Sequence, residues 1–354
     1  MTSRFSKTFK IGDRLVGEGQ PALVIADLGG NFDGSIEKAK SLAKMVKDAG
    51  GDVVKIQSFL ADKIVSGKGF ASMKLRGVHG SWGKPVEEIF KSAEFPREWH
   101  KEFFDYCNEI GILASSSPYD YEAVDIMDET GVPFYKIGSG DITWLEMIEY
   151  IAKKGKPVIL ATGAATLSEV DEAVHVIEST GNKDFALMQC ITNYPSKIES
   201  ANIRVMDTYK TAFDVMIGYS DHTPGDTVVL GAIARGAKVI EKHFTDDKKN
   251  AGPDHPHSME PDEFAKMMVR IRDMEKALGS GRKEVVAEES ETVIVQRRAL
   301  YATEDIKEGE VIGDRIVELR PALGIFPKYK KQVAGLTAKK DITKGAPIFW
   351  ESLS

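Results

Sequence analysis

The sequence predicts an α/β chain: a (β/α)₈ barrel, a short charged linker and a small β-rich domain. Three observations predict it. Eight short apolar runs alternate with amphipathic helical stretches over residues 1–278. Several of those runs end in polar residues, which a parallel barrel places at its mouth. Beyond residue 293 the alternation is replaced by a segment with its own internal repeat.

The strand-like runs lie at 22–27 (ALVIAD), 53–58 (VVKIQS), 112–117 (ILASSS), 134–139 (FYKIGS), 157–162 (PVILAT), 184–190 (DFALMQC), 215–220 (VMIGYS) and 239–244 (VIEKHF). Helical patterns fill the gaps, at 35–50, 97–111 and 167–181 among others, and several end in Gly, a common helix stop. The alternation also fits an open doubly wound sheet; the count of eight favours the closed barrel. Residues 279–293 (GSGRKEVVAEESETV) read as a linker. In the terminal segment, Ala302-x-x-Asp305-Ile306-x-x-Gly309-x-x-Ile312 recurs as Ala338-x-x-Asp341-Ile342-x-x-Gly345-x-x-Ile348. Five matched positions imply two related half-units in residues 294–354.

Composition excludes several classes. The formal net charge is -7, which argues against a general nucleic-acid binder. No apolar run approaches the length of a membrane span. The two cysteines, Cys107 and Cys190, offer no disulfide framework, so a reducing cytoplasm is the default location.

The strand tips carry the chemistry. Lys55 and Gln57 follow VV, Lys136 precedes Ser139 and Asp141, and His222 and His243 stand on consecutive strand ends. An unpaired charge at a buried strand end is costly, so these residues need a reason to be there. Two histidines beside two lysines point to a divalent metal next to an anionic, phosphorylated substrate. The competing reading has the histidines hydrogen-bonded within the rim and pairs each lysine with a barrel carboxylate such as Glu241 or Asp141. His79, His100 and His175 are read as surface or packing residues.

These segments resemble the sialic acid synthase family, which includes legionaminic and pseudaminic acid synthases. The family's opening motif, near IAEIGxNHxG, is IADLGGNFDG at 25–34 here. VKIQSF, SSPYD at 116–120, KIGSGD at 136–141, ATG at 161–163 and QCITNYP at 189–195 follow in order. SDHT, HFT, GPDH at 252–255 and SMEPDEF at 258–264 complete the barrel, and the half-repeats resemble an antifreeze-like (SAF, β-clip) domain.

The resemblance implies condensation of phosphoenolpyruvate with an N-acetylmannosamine-type aldehyde, giving a nine-carbon 2-keto acid and phosphate. It implies a divalent ion, Mn²⁺ or Mg²⁺, on His222 and His243. It places Lys55 and Lys136 on the anion, and Ser117, Ser139, Thr192 and Tyr194 among the neutral donors. Gln57 is expected either on the sugar or orienting Lys55, and Asp254 on the sugar hydroxyls unless GPD is a plain turn with a helix-capping acid, with Asp27 and Asp141 as acid/base residues. Asp27 stands where the family has the longer glutamate, and Gly30 and Phe32 also depart, which bears on sugar identity. His255 completes GPDH; His257 lies beyond it and is read as solvated. Arg320, in LRPALGIFP, is expected to reach the sugar in a partner's barrel, which implies a domain-swapped homodimer. Another phosphoenolpyruvate-dependent aldol synthase, or a non-catalytic sugar-binding relative, remains the alternative; the first is not expected to carry the half-repeats.

Overall fold

A computed structural model describes residues 3–73 and 83–354. His79 lies outside the described residues. The chain divides into two compact units, Met1–Gly279 and Ser280–Ser354.

The first unit begins with a feature the strand pattern did not announce. Strands β1 (Thr8–Ile11) and β2 (Arg14–Gly17) form an antiparallel hairpin. Its apolar residues are few, Phe9, Ile11, Leu15 and Val16, and all but Leu15 are buried. The buried three join a cluster with Leu23, Ile25, Val53 and Phe134, from the first halves of barrel strands. The hairpin therefore plugs the lower end of the barrel.

Eight parallel strands follow: β3 (Leu23–Asp27), β4 (Val53–Ser58), β5 (Leu113–Pro118), β6 (Tyr135–Ile137), β7 (Val158–Ala161), β8 (Phe185–Cys190), β9 (Met216–Asp221) and β10 (Val239–His243). Seven match the runs read from the sequence to within one residue at each end, and β6 stops two residues short of its run. Their hydrogen-bonded order is β5-β4-β3-β10-β9-β8-β7-β6. The first strand pairs with the last, His243 opposite Asp27, as closure requires. At the remaining seam, the Ser115 hydroxyl of β5 donates to the Phe134 carbonyl just ahead of β6, at 2.6 Å. The sheet is a nearly closed barrel, not an open doubly wound sheet.

The helices start and stop where the sequence punctuates them. Ile36–Asp48 is capped by the Ser35 side chain, Trp99–Ile110 ends at the left-handed Gly111, and Leu167–Ser179 opens with a Thr166/Glu169 capping box. Outward-facing strand residues such as Val24, Ile56 and Ile240 pack with helix residues such as Leu42, Val174 and Met267 in one large core. Among the described residues, no helix is long and apolar enough to cross a membrane. Cys107 and Cys190 are free and buried.

In the second unit, residues 287–295 carry a turn of 3₁₀ helix and the helix Ser290–Val295. Strands β11 (Ala299–Ala302) and β12 (Ile316–Leu319) then pair antiparallel. The sequence repeat becomes a set of reciprocal hydrogen bonds. The Ile306 amide donates to the Ile342 carbonyl and the Ile342 amide to the Ile306 carbonyl, both at 2.9 Å. Gly309 donates to Ala338 and Gly345 to Ala302, both at 2.8 Å. Asp305 accepts from the Lys344 amide and Asp341 from the Glu308 amide. Both turn glycines hold left-handed backbones, φ 86° and 81°, which other residues rarely adopt. The repeated Ile306, Ile312, Ile342 and Ile348 are all buried in one core.

Candidate active site

Inward positions of the barrel strands alternate, and each such column changes character along its length. On β3 it runs Leu23, Ile25, Asp27; on β4, Val53, Lys55, Gln57; on β10, Val239, Glu241, His243. The lower residues belong to the apolar plug, and the upper ones line a polar cavity at the strands' C-terminal ends.

One carboxylate organises the first side of that cavity. Asp27 is buried, and its Oδ2 lies 2.8 Å from Lys55 Nζ, 3.1 Å from Gln57 Nε2 and 3.6 Å from His243 Nε2. Its Oδ1 accepts from the Gly29 amide at 3.1 Å. The shorter side chain at this position thus still reaches the metal-ligand candidate and the lysine. Lys55 also donates to Ser117 Oγ at 3.3 Å. Burial opposes the Lys55 charge, but Asp27 and Glu241 outweigh it and hold the ammonium's pKa above its ordinary value.

On the other side, Lys136 Nζ sits 3.4 Å from Glu241 Oε1, which also accepts from Ser220 at 3.1 Å. The lysine–carboxylate pairing weighed from the sequence is present, Lys55 with Asp27 and Lys136 with Glu241. Two lysines and two carboxylates nevertheless leave Glu241 Oε2 buried and without a partner. A buried oxygen in that state is costly unless something binds there. Asp141, in the one-turn 3₁₀ helix Ser139–Asp141, has its pKa pushed up to about 6 by burial, against the pull of Lys136.

A neutral cradle adjoins Lys136. The Gly163 amide donates to Ser139 Oγ at 2.9 Å. A Cβ at Gly163 would lie 2.0 Å from Thr192 Oγ1, so only glycine lets these two hydroxyls converge on the backbone.

The histidines cluster around Tyr194. Its ring centroid is 4.3 Å from that of His222, 5.9 Å from His243 and 5.0 Å from His257. The His222 and His243 centroids are 5.4 Å apart. His222 Nδ1 is 2.9 Å from the Ile191 carbonyl, which can only accept; Nδ1 therefore carries the proton and Nε2 is left for a ligand. Burial, reinforced by His257, His222 and Lys55, keeps the His243 pKa well below its usual value, and burial likewise lowers His257 to about 4. Both imidazoles are neutral and fit to bind a cation. His243, Asp254 and His257 offer ligand atoms that all lie within 4.8 Å of one another.

His257 corrects the sequence reading. It was expected in solvent, yet its side chain is only 3 % exposed and faces the cluster. Its position in a Pro-containing 3₁₀ turn, His255–His257, is what brings it there. His100 is a buried packing residue hydrogen-bonded to Ser58, and His175 is exposed. Two further residues escaped notice as site residues. Glu241 is two positions from His243, hence on the same face of β10. Tyr119 follows β5 by one residue and lines the cavity. Arg320, just after β12, is exposed and makes no hydrogen bond or ion pair among the described residues.

Above the polar cavity lies a larger one of about 240 Å³. Its walls include Phe59, Ile64, Ile89, Phe90 and Ala93, and it shares Gln57, Tyr119, Tyr194 and His243 with the cavity below.

The fold and this arrangement have counterparts among known proteins. Residues 42–283 match the NeuB family, and residues 297–354 match the SAF domain. The chain belongs to the NeuB family. It is 38% identical over 323 residues to the N,N'-diacetyllegionaminic acid synthase of Campylobacter jejuni, covering 90% of this chain and 96% of that protein. It is 36% identical over 327 residues to the pseudaminic acid synthase of the same organism, covering 91% and 94%. The crystal structure of an N-acetylneuraminic acid synthetase from Leptospira borgpetersenii superposes with a TM-score of 0.73 at 30% identity, over 82% of this chain and 96% of that one. These relatives are synthases, and this NeuB-family chain is an enzyme.

Proposed function

We propose that the barrel mouth condenses phosphoenolpyruvate with the open-chain aldehyde of an acylated amino sugar, yielding a nine-carbon 2-keto acid and phosphate. The observation that carries this is the pair of adjoining cavities: a small one with Lys55, Lys136 and the Ser139–Gly163–Thr192 cradle, opening through His243 and Tyr194 into a larger, mainly apolar one. The first suits a small anion; the second suits a sugar chain.

In this reading Lys55 and Lys136 neutralise the carboxylate and phosphate, and Ser117, Ser139 and Thr192 supply neutral donors. Carbon 3 of phosphoenolpyruvate forms the new bond to the aldehyde carbon, whose oxygen takes up a proton. Carbon 2 becomes electron-poor and captures water, and the tetrahedral adduct breaks its carbon–oxygen bond to release phosphate. Asp27 and Glu241 flank the space between the lysines, placed to take the water's proton. A divalent ion on His222 and His243 would supply Lewis-acid polarisation of the aldehyde. The orphaned buried atoms Glu241 Oε2 and His243 Nδ1 support a bound ion or substrate at this place.

The larger cavity favours one sugar class. Its apolar wall fits methyl groups, and no Lys or Arg stands among its described lining residues. A 6-phosphate lacks a cation there, whereas a 6-deoxy diacetamido sugar presents three methyl groups. The test is phosphate release from phosphoenolpyruvate with N-acetylmannosamine, its 6-phosphate and a 6-deoxy diacetamido hexose. The expected order puts the last first by at least ~10² in kcat/KM, the effect of a few well-buried methyls. Preference for the 6-phosphate would overturn the sugar assignment, and no release with any aldehyde would overturn the reaction.

We also propose that Arg320 serves the barrel of a second copy. Its exposed guanidinium has no partner within its own unit, which supports a role outside that unit. Mixing inactive His243→Ala and Arg320→Ala proteins under subunit exchange is expected to regenerate activity; no recovery despite proven exchange contradicts the arrangement.

A further inference from the structure

His257 stands apart from its neighbour His255. Both rings of the HPH turn are turned inward. His255 uses both nitrogens, Nδ1 at 2.5 Å from Thr245 Oγ1 and Nε2 at 2.9 Å from Asp33 Oδ1, so it ties down a loop. Among the described residues the His257 side chain makes no hydrogen bond, and its Nε2 is buried and without a partner. The side chain is 97 % removed from solvent, judged from its 3 % exposure. Nor does Asp254 satisfy it, because Oδ1 is 3.7 Å away, beyond hydrogen-bond range. Asp254 Oδ2 is already engaged by the Gly30 amide at 2.7 Å.

The neighbouring ring has the same defect. His243 Nδ1 is buried and unpartnered, and its centroid is 4.9 Å from that of His257. Two orphaned imidazole nitrogens flank one carboxylate. Left empty, each buried orphan is costly, because it has lost its water and gained no partner. One cation would satisfy both nitrogens and the free Asp254 oxygen together. Packing alone does not explain it, since a methyl-bearing side chain of similar size would fill the space without that cost.

We propose that His257 is a direct ligand of a divalent ion, acting with His243 and Asp254 in a nitrogen-rich set. This rests on the reading that an ion works at this mouth, and it adds an imidazole to the pair His222 and His243. The consequence is selectivity. Imidazole-rich sites favour cobalt, nickel and zinc, whereas magnesium prefers oxygen and water. The set is therefore tuned away from magnesium.

The test uses the full-length protein stripped of metal, titrated with Co²⁺ in the absence of substrates. Visible Co²⁺ absorption and competition by excess Mg²⁺ are followed for wild type, His257→Gln and His222→Gln. The expected result is one tight Co²⁺ that Mg²⁺ does not displace. His257→Gln is expected to weaken Co²⁺ binding at least ~10-fold and to change its spectrum, the scale on which ligand-shell changes act. Unchanged affinity and spectrum in a folded His257→Gln protein overturn the proposal. Should that variant not fold, anomalous diffraction from Co²⁺-soaked wild type decides. A cobalt about 2.1 Å from His257 Nε2 supports the assignment, and one bound without His257 overturns it. No readout depends on turnover, so failure of the condensation reading leaves this result intact, and the reverse.

Discussion

The two ends of the barrel are built from the same strands and obey opposite rules. At the lower end the inward positions are Leu23, Ile25, Val53, Phe134 and Val239, closed by Phe9, Ile11 and Val16 of the hairpin. Two to four residues further along the strands those columns have become Asp27, Gln57, Glu241 and His243, with Lys55 and Lys136 among them. The lower end buries apolar area and, among the described residues, leaves none of its buried side-chain nitrogens or oxygens without a partner. The upper end buries charges in alternating pairs and leaves Glu241 Oε2, His243 Nδ1 and His257 Nε2 unpaired. Stability is drawn from the first and spent on the second, and substitutions at the two ends should separate accordingly.

The largest effect on folding is expected at the plug. Phe9→Ala empties a buried ring site, which costs about 3–5 kcal/mol. Chemical denaturation should show that loss while kcat and KM stay near wild type below the transition. A fall in turnover without a fall in stability would break the contrast between the ends.

At the mouth, Lys136→Ala is expected to lower kcat/KM for phosphoenolpyruvate by about 100-fold, the worth of a charged contact. Steady-state kinetics on the folded fraction measures it. Unchanged kinetics would make Lys136 a structural partner of Glu241 and nothing more.

A smaller, pH-dependent effect is expected at Asp141. Its carboxyl titrates near 6 when folded against 3.8 ordinarily, because burial disfavours the charge. The folded state holds the proton more tightly. Stability therefore falls as pH rises from about 4 to 6 and stays lower above that. Asp141→Asn removes the buried charge, so it should stabilise by up to about 3 kcal/mol at pH 7.5 and by almost nothing at pH 3.5. Thermal unfolding at the two pH values checks it; equal shifts at both would mean the carboxylate is not strained.

The smallest effect concerns the second unit, where the repeat makes two sites equivalent. Gly309→Ala and Gly345→Ala each force a side chain into a left-handed backbone, costing about 1 kcal/mol. Their effects on stability should match closely. A clear inequality would show that the halves do not share the load.

Much of the barrel was legible because inward and outward columns are both apolar in the lower strand halves, which makes each run short and continuous. The hairpin was not: its two four-residue strands bury only three apolar side chains, Phe9, Ile11 and Val16, too few to stand out beside a polar N-terminus. Lys55, Lys136, His222 and His243 were visible because a charge or imidazole ending an apolar run needs a reason. Glu241 was weighed only as a lysine's partner, although period-two alternation puts it on the face of His243. His257 was misread because its burial depends on a 3₁₀ turn that sequence spacing alone does not show. The half-repeat was visible, but its meaning, reciprocal bonds such as Ile306 with Ile342, emerged only in three dimensions.

The most direct test of the chemistry assigned to the polar end follows one oxygen atom. Phosphoenolpyruvate labelled with ¹⁸O at the bridge between carbon 2 and phosphorus is turned over with the preferred amino-sugar aldehyde, and both products are weighed by mass spectrometry. Water attack at carbon 2 followed by carbon–oxygen cleavage puts the label in the released phosphate. Label retained in the keto acid, or no phosphate formed with any aldehyde, would contradict the mechanism.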